Sequence, residues 1–169
     1  VQTCALPISF TGSTEVGKQI ARTCADTMKR VTLELGGKSP NIVLPDADPA
    51  VVAANAADAI FSNMGQVCTA GSRLYVHRKC FDAVMEPLVA RARGIVVGHG
   101  LDPATEMGPL VSGEQWQRVS RYVEIGASEG GKVLTGGGRP DAQPRGHFFE
   151  PTVLVDRSED TRLNSSHGY

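Results

Sequence analysis

Short apolar or β-branched runs alternate along this chain with helical stretches, and glycine or proline marks most of the changes. That alternation restricts the fold more than any other feature. Strand–helix–strand order builds an α/β fold with a largely parallel sheet. Ile8-Ser9-Phe10 reads as the end of a strand and runs straight into Thr11-Gly12-Ser13. A helix follows, with Val16, Ile20, Ala21 and Cys24 at its period. Thr11 or Ser13 supplies the N-cap, and Glu15 complements the positive end of the helix dipole. Strands are expected over 29–35 and 41–44, ended by Gly36-Gly37 and Pro45-Asp46. Asp48-Pro49 starts a second helix, reaching about Asn63. Its thin face of Val52, Ala56, Ala59 and Ile60 suits close packing on a sheet.

Arg73 to His77 reads as a further strand. Phe81, Val84, Met85, Leu88 and Ala92 then form an amphipathic stripe that is plain core. Ile95 to Gly98 is a short apolar run before a turn-rich loop. Ser112 and Gln115 resemble a capping box, and the helix they open turns Trp116, Val119, Val123 and Ala127 inward. It stops at Gly130-Gly131. Val133-Leu134 is a short strand, 136–146 a flexible surface loop, and Phe148 to Val155 a final strand. Residues 157–169 are polar and patternless, as in a disordered or non-native tail.

Composition narrows the functional classes. The formal net charge of −1 and the lack of a long Lys/Arg run give no footprint for nucleic acid or an anionic membrane. No apolar run approaches the roughly 18 residues of a membrane-spanning helix. The four cysteines, Cys4, Cys24, Cys68 and Cys80, form no C-x-x-C and no zinc spacing. Free thiols in a reducing cytoplasm are expected, and no metal site. The four histidines are scattered, which suits surface or packing positions better than ligation.

Two residues stand out chemically. Cys68 lies between small residues just past a helix end, with Gly65 and Gly71 nearby, so its sulfur is accessible. A thiol of pKa about 8.5 is partly ionised at neutral pH and strongly nucleophilic. A buried structural cysteine is the commoner fate, and Cys24 and Cys80, inside helical patterns, fit it. Glu34 interrupts an apolar strand between Leu33 and Leu35. It lies either on a solvated face or in a cleft where a carboxylate acts as a base. Alternation by itself favours the solvated face, and spacing does not bring Glu34 and Cys68 together. The strand–glycine–helix turn at 10–17 can offer backbone N–H groups to a phosphate, but it lacks the central glycine of the dinucleotide fingerprint.

Three motifs decide between these readings. Phe10-Thr11-Gly12-Ser13-Thr14-Glu15-Val16-Gly17, Leu33-Glu34-Leu35-Gly36-Gly37-Lys38-Ser39-Pro40 and Gly65-Gln66-Val67-Cys68 closely resemble the aldehyde dehydrogenase superfamily. Glu34 and Cys68 stand 34 residues apart, as in that family. Asp102-Pro103, Met107-Gly108-Pro109 and Glu150-Pro151-Thr152 match as well, so the resemblance covers residues 9–156. Within the family, the stretch from Gly65 to Val76 looks most like the phenylacetaldehyde and betaine aldehyde dehydrogenases.

The resemblance implies oxidation of an aldehyde to an acid with NAD or NADP. Cys68 would form a thiohemiacetal and then a thioester, and Glu34 would activate the water that hydrolyses it. The Cys68 backbone N–H would be one oxyanion donor. Thr11, Gly12, Ser13, Val16, Gly17, Leu35 and Gly36 would line the cofactor. Residues 1–36 would be the C-terminal part of a Rossmann-type nucleotide-binding domain, and 37–156 most of an α/β catalytic domain. A homo-oligomeric parent enzyme is implied. So are upstream and downstream segments that these 169 residues do not include. The chain is therefore expected to be a fragment, with residues 1–8 and 157–169 outside the family pattern, and slow or inactive alone. Two other readings remain open at this point: a cofactor-independent thiol esterase, and a catalytically incompetent fragment or binding module.

Overall fold

A computed structural model describes residues 6–156. Cys4 and the expected tail at 157–169 lie outside the described residues. The chain divides into two compact units. Among the described residues, one holds 6–38 together with Val67–Thr69, and the other holds Ser39–Gln66 and 70–156.

The first unit is one strand–helix–strand. Strand β1 (Ile8–Thr11) and strand β2 (Val31–Glu34) pair in parallel, with Ile8 opposite Val31 and Thr11 opposite Glu34. Helix α1 (Thr14–Ala25) connects them, as a parallel pair requires. Ser13 is its N-cap, its hydroxyl accepting from the Val16 N–H at 3.3 Å. Both strands alternate: Ile8, Phe10, Val31 and Leu33 are half-buried, while Ser9, Thr11, Thr32 and Glu34 are exposed. On α1, Cys24 and Gly17 are buried, but Val16 is 41 % exposed instead of facing inward.

The second unit is built on helices. Strands β3 (Pro40–Val43) and β4 (Arg73–Val76) pair in parallel. Helix α2 (Pro49–Phe61) starts where the Asp48 carboxylate caps the Ala50 N–H at 2.9 Å, with Pro49 needing no acceptor. Its buried face is Ala53, Ala56, Ala57 and Phe61. Ala59, expected inside, is exposed. The face is rotated because α2 packs on helix α3 (Phe81–Gly94) and not only on a sheet. Met85, Leu88 and Ala92 of α3 supply the other half of this core, while Val84 packs with Val43 and Cys80 in a second cluster. Small alanines let the two helices approach closely, and burying each large α3 side chain contributes roughly 1.5–3 kcal/mol.

Helix α4 (Gly113–Ser128) is capped by Ser112, which accepts from the Gln115 N–H at 3.1 Å. Trp116, Val119 and Val123 are half-buried as expected, whereas Ala127 is exposed and Gly126 is the buried residue. Strand β5 (Lys132–Thr135) pairs with strand β6 (Val153–Val155) in antiparallel fashion. The expected strand over 148–155 is thus only three residues long. Phe148 and Phe149 are buried outside it, with the Trp116 indole donating to the Phe148 carbonyl at 2.8 Å and meeting the Phe149 ring edge-on. The loop expected to be flexible is tied down: Arg139 stacks over Trp116 at 5.0 Å and donates to the Gly146 carbonyl. The class is α/β, but the described strands form three two-stranded sheets, two parallel and one antiparallel, instead of one largely parallel sheet. Among the described residues no helix is long and apolar enough to cross a membrane.

Candidate active site

Glu34 is the last residue of β2 and is exposed. Its parallel partner in register is Thr11, the last residue of β1, and paired residues of parallel strands point to the same face. The carboxylate therefore stands beside the Thr11 hydroxyl at the carboxyl ends of two parallel strands. Ligands of α/β proteins collect at such strand ends. Gly12 prolongs the ladder, its N–H donating to the Glu34 carbonyl at 3.0 Å. The chain then enters α1, whose first-turn amides at Thr14 and Glu15 have no intrahelical acceptor. An anion is favoured there by those donors and by the helix dipole.

The glycines around Glu34 divide into two kinds. A Cβ on Gly17 would come within 2.7 Å of a Leu35 methyl carbon, so Gly17 lets α1 sit down on Leu35. A Cβ on Gly36 would meet nothing within 4 Å. Packing among the described residues therefore does not explain Gly36. Thr11, Gly12, Ser13, Val16 and Gly36 are all exposed, while Leu35 is half-buried and Gly17 buried. Open backbone, an open apolar side chain at Val16 and a helix N-terminus are a fitting surface for a nucleotide cofactor.

Cys68 is exposed, and Cys24 and Cys80 are buried. Its turn follows an unusual stretch of backbone. A 3₁₀ turn over Ser62–Gly65 carries Asn63, Met64 and Gly65 in the left-handed region, at φ +48°, +57° and +71°. Gly65 could be read in the sequence as a bend. Two left-handed non-glycine residues before it could not, although Asn63 is a type that tolerates the region. Gln66, next in the chain, was not singled out from sequence either. Its N–H donates to the Asn63 carbonyl at 3.0 Å, and its side-chain oxygen accepts from the Val111 N–H at 3.1 Å. Beyond the turn, Ala70 is buried and the Gly71 N–H donates to the Ala59 carbonyl at 3.0 Å. Val67–Thr69 nevertheless group with residues 6–38 and not with Gln66 and Ala70. Cys68 and Glu34 are thus in the same unit, although they stand far apart in sequence.

Another concavity lies in the second unit, a cleft of about 120 Å³ lined by Met64, Gly65, Met107, Leu110 and Phe149 among others. Neither Cys68 nor Glu34 lines it. It is predominantly apolar, with Glu150 and Thr152 as its polar side chains.

Comparison with known proteins agrees with the motifs. The model of the aldehyde dehydrogenase family matches residues 6–166, a wider span than the 9–156 expected from the motifs. Betaine aldehyde dehydrogenase of Bacillus subtilis (strain 168) is 47% identical over 158 residues, covering 92% of this chain and 32% of the relative. Phenylacetaldehyde dehydrogenase of Pseudomonas fluorescens is 48% identical over 160 residues, covering 94% of this chain and 32% of the relative. The structure of an aldehyde dehydrogenase from Bacillus cereus in complex with NAD+ superposes with a TM-score of 0.87 at 48% identity, covering 91% of this chain and 31% of that one. The chain therefore spans about a third of the length of the relatives it matches.

Proposed function

The chain belongs to the aldehyde dehydrogenase family, and from that premise we propose that it carries the nucleophile and the base of an NAD(P)-dependent aldehyde oxidation. The observation that supports this most is the grouping of the Cys68 turn with the unit that holds Glu34, against the grouping of its own chain neighbours.

Cys68 attacks the aldehyde carbonyl carbon; a C–S bond forms, and the thiol proton ends on the former carbonyl oxygen of a thiohemiacetal. The Cys68 backbone N–H steadies the developing oxyanion. A nicotinamide cofactor, when bound, would accept the hydride that leaves this carbon. The hydroxyl proton is lost to solvent in the same step, and what remains on Cys68 is a thioester. Glu34 takes a proton from water, the resulting hydroxide attacks the thioester carbon, and the C–S bond breaks to release the acid and the thiolate. Thr11, beside Glu34, and the first turn of α1 would hold the phosphate-bearing side of the cofactor. Leu35, braced by Gly17, and the open space at Gly36 would receive its ring. Residues 1–36 serve the nucleotide side and 37–156 the catalytic side. A reducing compartment, the cytoplasm, keeps Cys68 a thiol. A homo-oligomer is the proposed assembly of the whole enzyme.

The test separates nucleophile from base. An activated ester such as p-nitrophenyl acetate acylates a nucleophilic thiol without any cofactor. Glu34→Gln should keep the initial burst of p-nitrophenolate, lose steady-state turnover about 10²–10⁴-fold, and leave an acyl mass on Cys68. A burst that survives Cys68→Ser would sink the assignment. Supplying an aldehyde in place of the ester tests the redox half: acid must form only when NAD+ or NADP+ is present. Acid formation without either would favour the cofactor-independent esterase.

A further inference from the structure

Three left-handed residues in a row lead into Gln66-Val67-Cys68. Glycine adopts that region freely and asparagine tolerates it, but Met64 does not, so the turn persists only because its surroundings hold it. Two of the holding bonds are internal: the Gln66 N–H donates to the Asn63 carbonyl at 3.0 Å, and the Asn63 side-chain amide donates to the Gln66 carbonyl at 3.1 Å. A third reaches out of the turn. The Gln66 side-chain oxygen accepts from the backbone N–H of Val111, 45 residues along the chain, at 3.1 Å. Val111 is 78 % exposed, so without Gln66 its N–H would find water. Satisfying a buried donor therefore does not explain this bond; fixing geometry does.

We infer that Gln66 is a positioning residue for Cys68, its side-chain oxygen pinned to the Val111 N–H so that the left-handed turn presents the thiol in one orientation. The inference rests on the reading of Cys68 as nucleophile and adds the element that aims it. Gln66 touches no reacting atom; it acts through two residues of backbone. On the other side the Gly71–Ala59 bond fixes the chain, so the cysteine turn is held at both ends. The chemistry asks for an acceptor at the end of a side chain of this length. Glutamate keeps it, and methionine matches the length without it.

Alkylation of Cys68 by iodoacetamide across pH, in the full chain, reads the effect. The limiting rate of the thiolate is compared, which removes any influence of a new carboxylate on thiol ionisation. The reference is the peptide Gln-Val-Cys-Thr-Ala. The native limiting rate should differ from that of the peptide by at least about threefold, modest beside the ~10²-fold that a misplacement of about 1 Å costs a reacting atom. Gln66→Met should move the rate most of the way to the peptide value, and Gln66→Glu should hold it at the native value. A purely structural role would move stability without this rescue. Equal native and peptide rates, or a native rate retained in Gln66→Met, would overturn the inference.

The buried thiols of Cys24 and Cys80 report folding in the same experiment. If they become reactive in Gln66→Met, the decision passes to hydrogen exchange in the native chain. There the Val111 amide should be protected about fivefold or more relative to a random coil. Absence of protection overturns the inference as well. The alkylation difference does not depend on aldehyde chemistry. Its loss with ester acylation intact refutes the positioning role alone, and loss of acylation with the difference intact refutes the nucleophile reading alone.

Discussion

Between α2 and α3, Ala57 is sealed at 0 % exposure and Ala92 at 1 %, whereas Glu34, Thr11 and Cys68 are all exposed. The helical region consists of side chains whose only property is volume. The exposed region consists of side chains proposed to act through their chemistry, Thr11 and Glu34 on short strands of alternating exposure and Cys68 on a turn. Folding energy in the first comes from apolar area removed from water, and the second contributes little of it. The two regions should therefore respond oppositely to substitution: the first through stability, the second through chemistry at constant stability.

The largest effect expected is on the chemical side. Cys68→Ser replaces a sulfur nucleophile by a far weaker hydroxyl one. Acylation by an activated ester should fall at least about 10³-fold, equivalent to about 4 kcal/mol at 1.36 kcal/mol per tenfold. Because the side chain is exposed, denaturant unfolding should shift by no more than about 0.5 kcal/mol. A large loss of stability in this variant would break the contrast between the regions.

The converse substitution is Leu88→Ala. Leu88 is 4 % exposed in the cluster with Ala57, Met85 and Ala92. Removing its branched end leaves a cavity and should cost about 2–5 kcal/mol in denaturant unfolding. The fraction that remains folded should acylate Cys68 at the native rate. Slower acylation in fully folded protein would mean that the core also sets the geometry of the cysteine turn.

Two helix caps sharpen the comparison at a smaller scale. The Asp48 carboxylate accepts from Ala50 at 2.9 Å at the start of α2, and the Ser13 hydroxyl accepts from Val16 at 3.3 Å at the start of α1. Asp48→Ala should lower stability by about 1 kcal/mol, the usual worth of an N-cap. It should leave NAD(P) binding unchanged, as followed by fluorescence titration. Ser13→Ala should cost less stability, its bond being longer, but weaken cofactor binding. Equal effects of both on binding would argue against a cofactor on the α1 turn.

The same division explains what could be read in the sequence. Asp48-Pro49 and Ser112 were legible because a cap is a local event, decided by a few adjacent atoms. The α3 stripe was legible because one helix face is buried. Glu34 and Cys68 were legible as candidates from residue type and neighbours, but as one site with Thr11 only through the motifs; alternation gave Glu34 its exposed face and no more. The rotation of the α2 face, which exposes Ala59 and buries Ala53 and Ala57, depends on where α3 lies, and no residue of α2 encodes that. Met64 in a left-handed conformation is likewise imposed from outside, against its own preference. The Gln66–Val111 bond joins residues too far apart in sequence for any local pattern to announce it.

The smallest effect expected lies at the margin of the helical region. Glu106 accepts from the Val96 N–H at 3.0 Å and from the Arg91 guanidinium at 2.7 Å. Beside it the Met107 N–H donates to the Val96 carbonyl at 3.1 Å, carrying Met107 into the core at 6 % exposure. The backbone donor first, and Arg91 second, hold the Glu106 carboxyl below its usual value of 4.5. A carboxyl lowered in the folded state contributes stability that is fully present above its unfolded value. That stability is lost as pH falls through the folded value. The thermal midpoint should therefore drop more steeply below pH 4.5 in the native chain than in Glu106→Gln, which cannot titrate. Both partners are 39 % exposed at the side chain, so the Arg91 share should shrink in added salt. The share owed to the Val96 N–H, a hydrogen bond at fixed short range, should survive it. Identical acid slopes in the two proteins would remove Glu106 from the account of stability and leave the α2–α3 core to carry it.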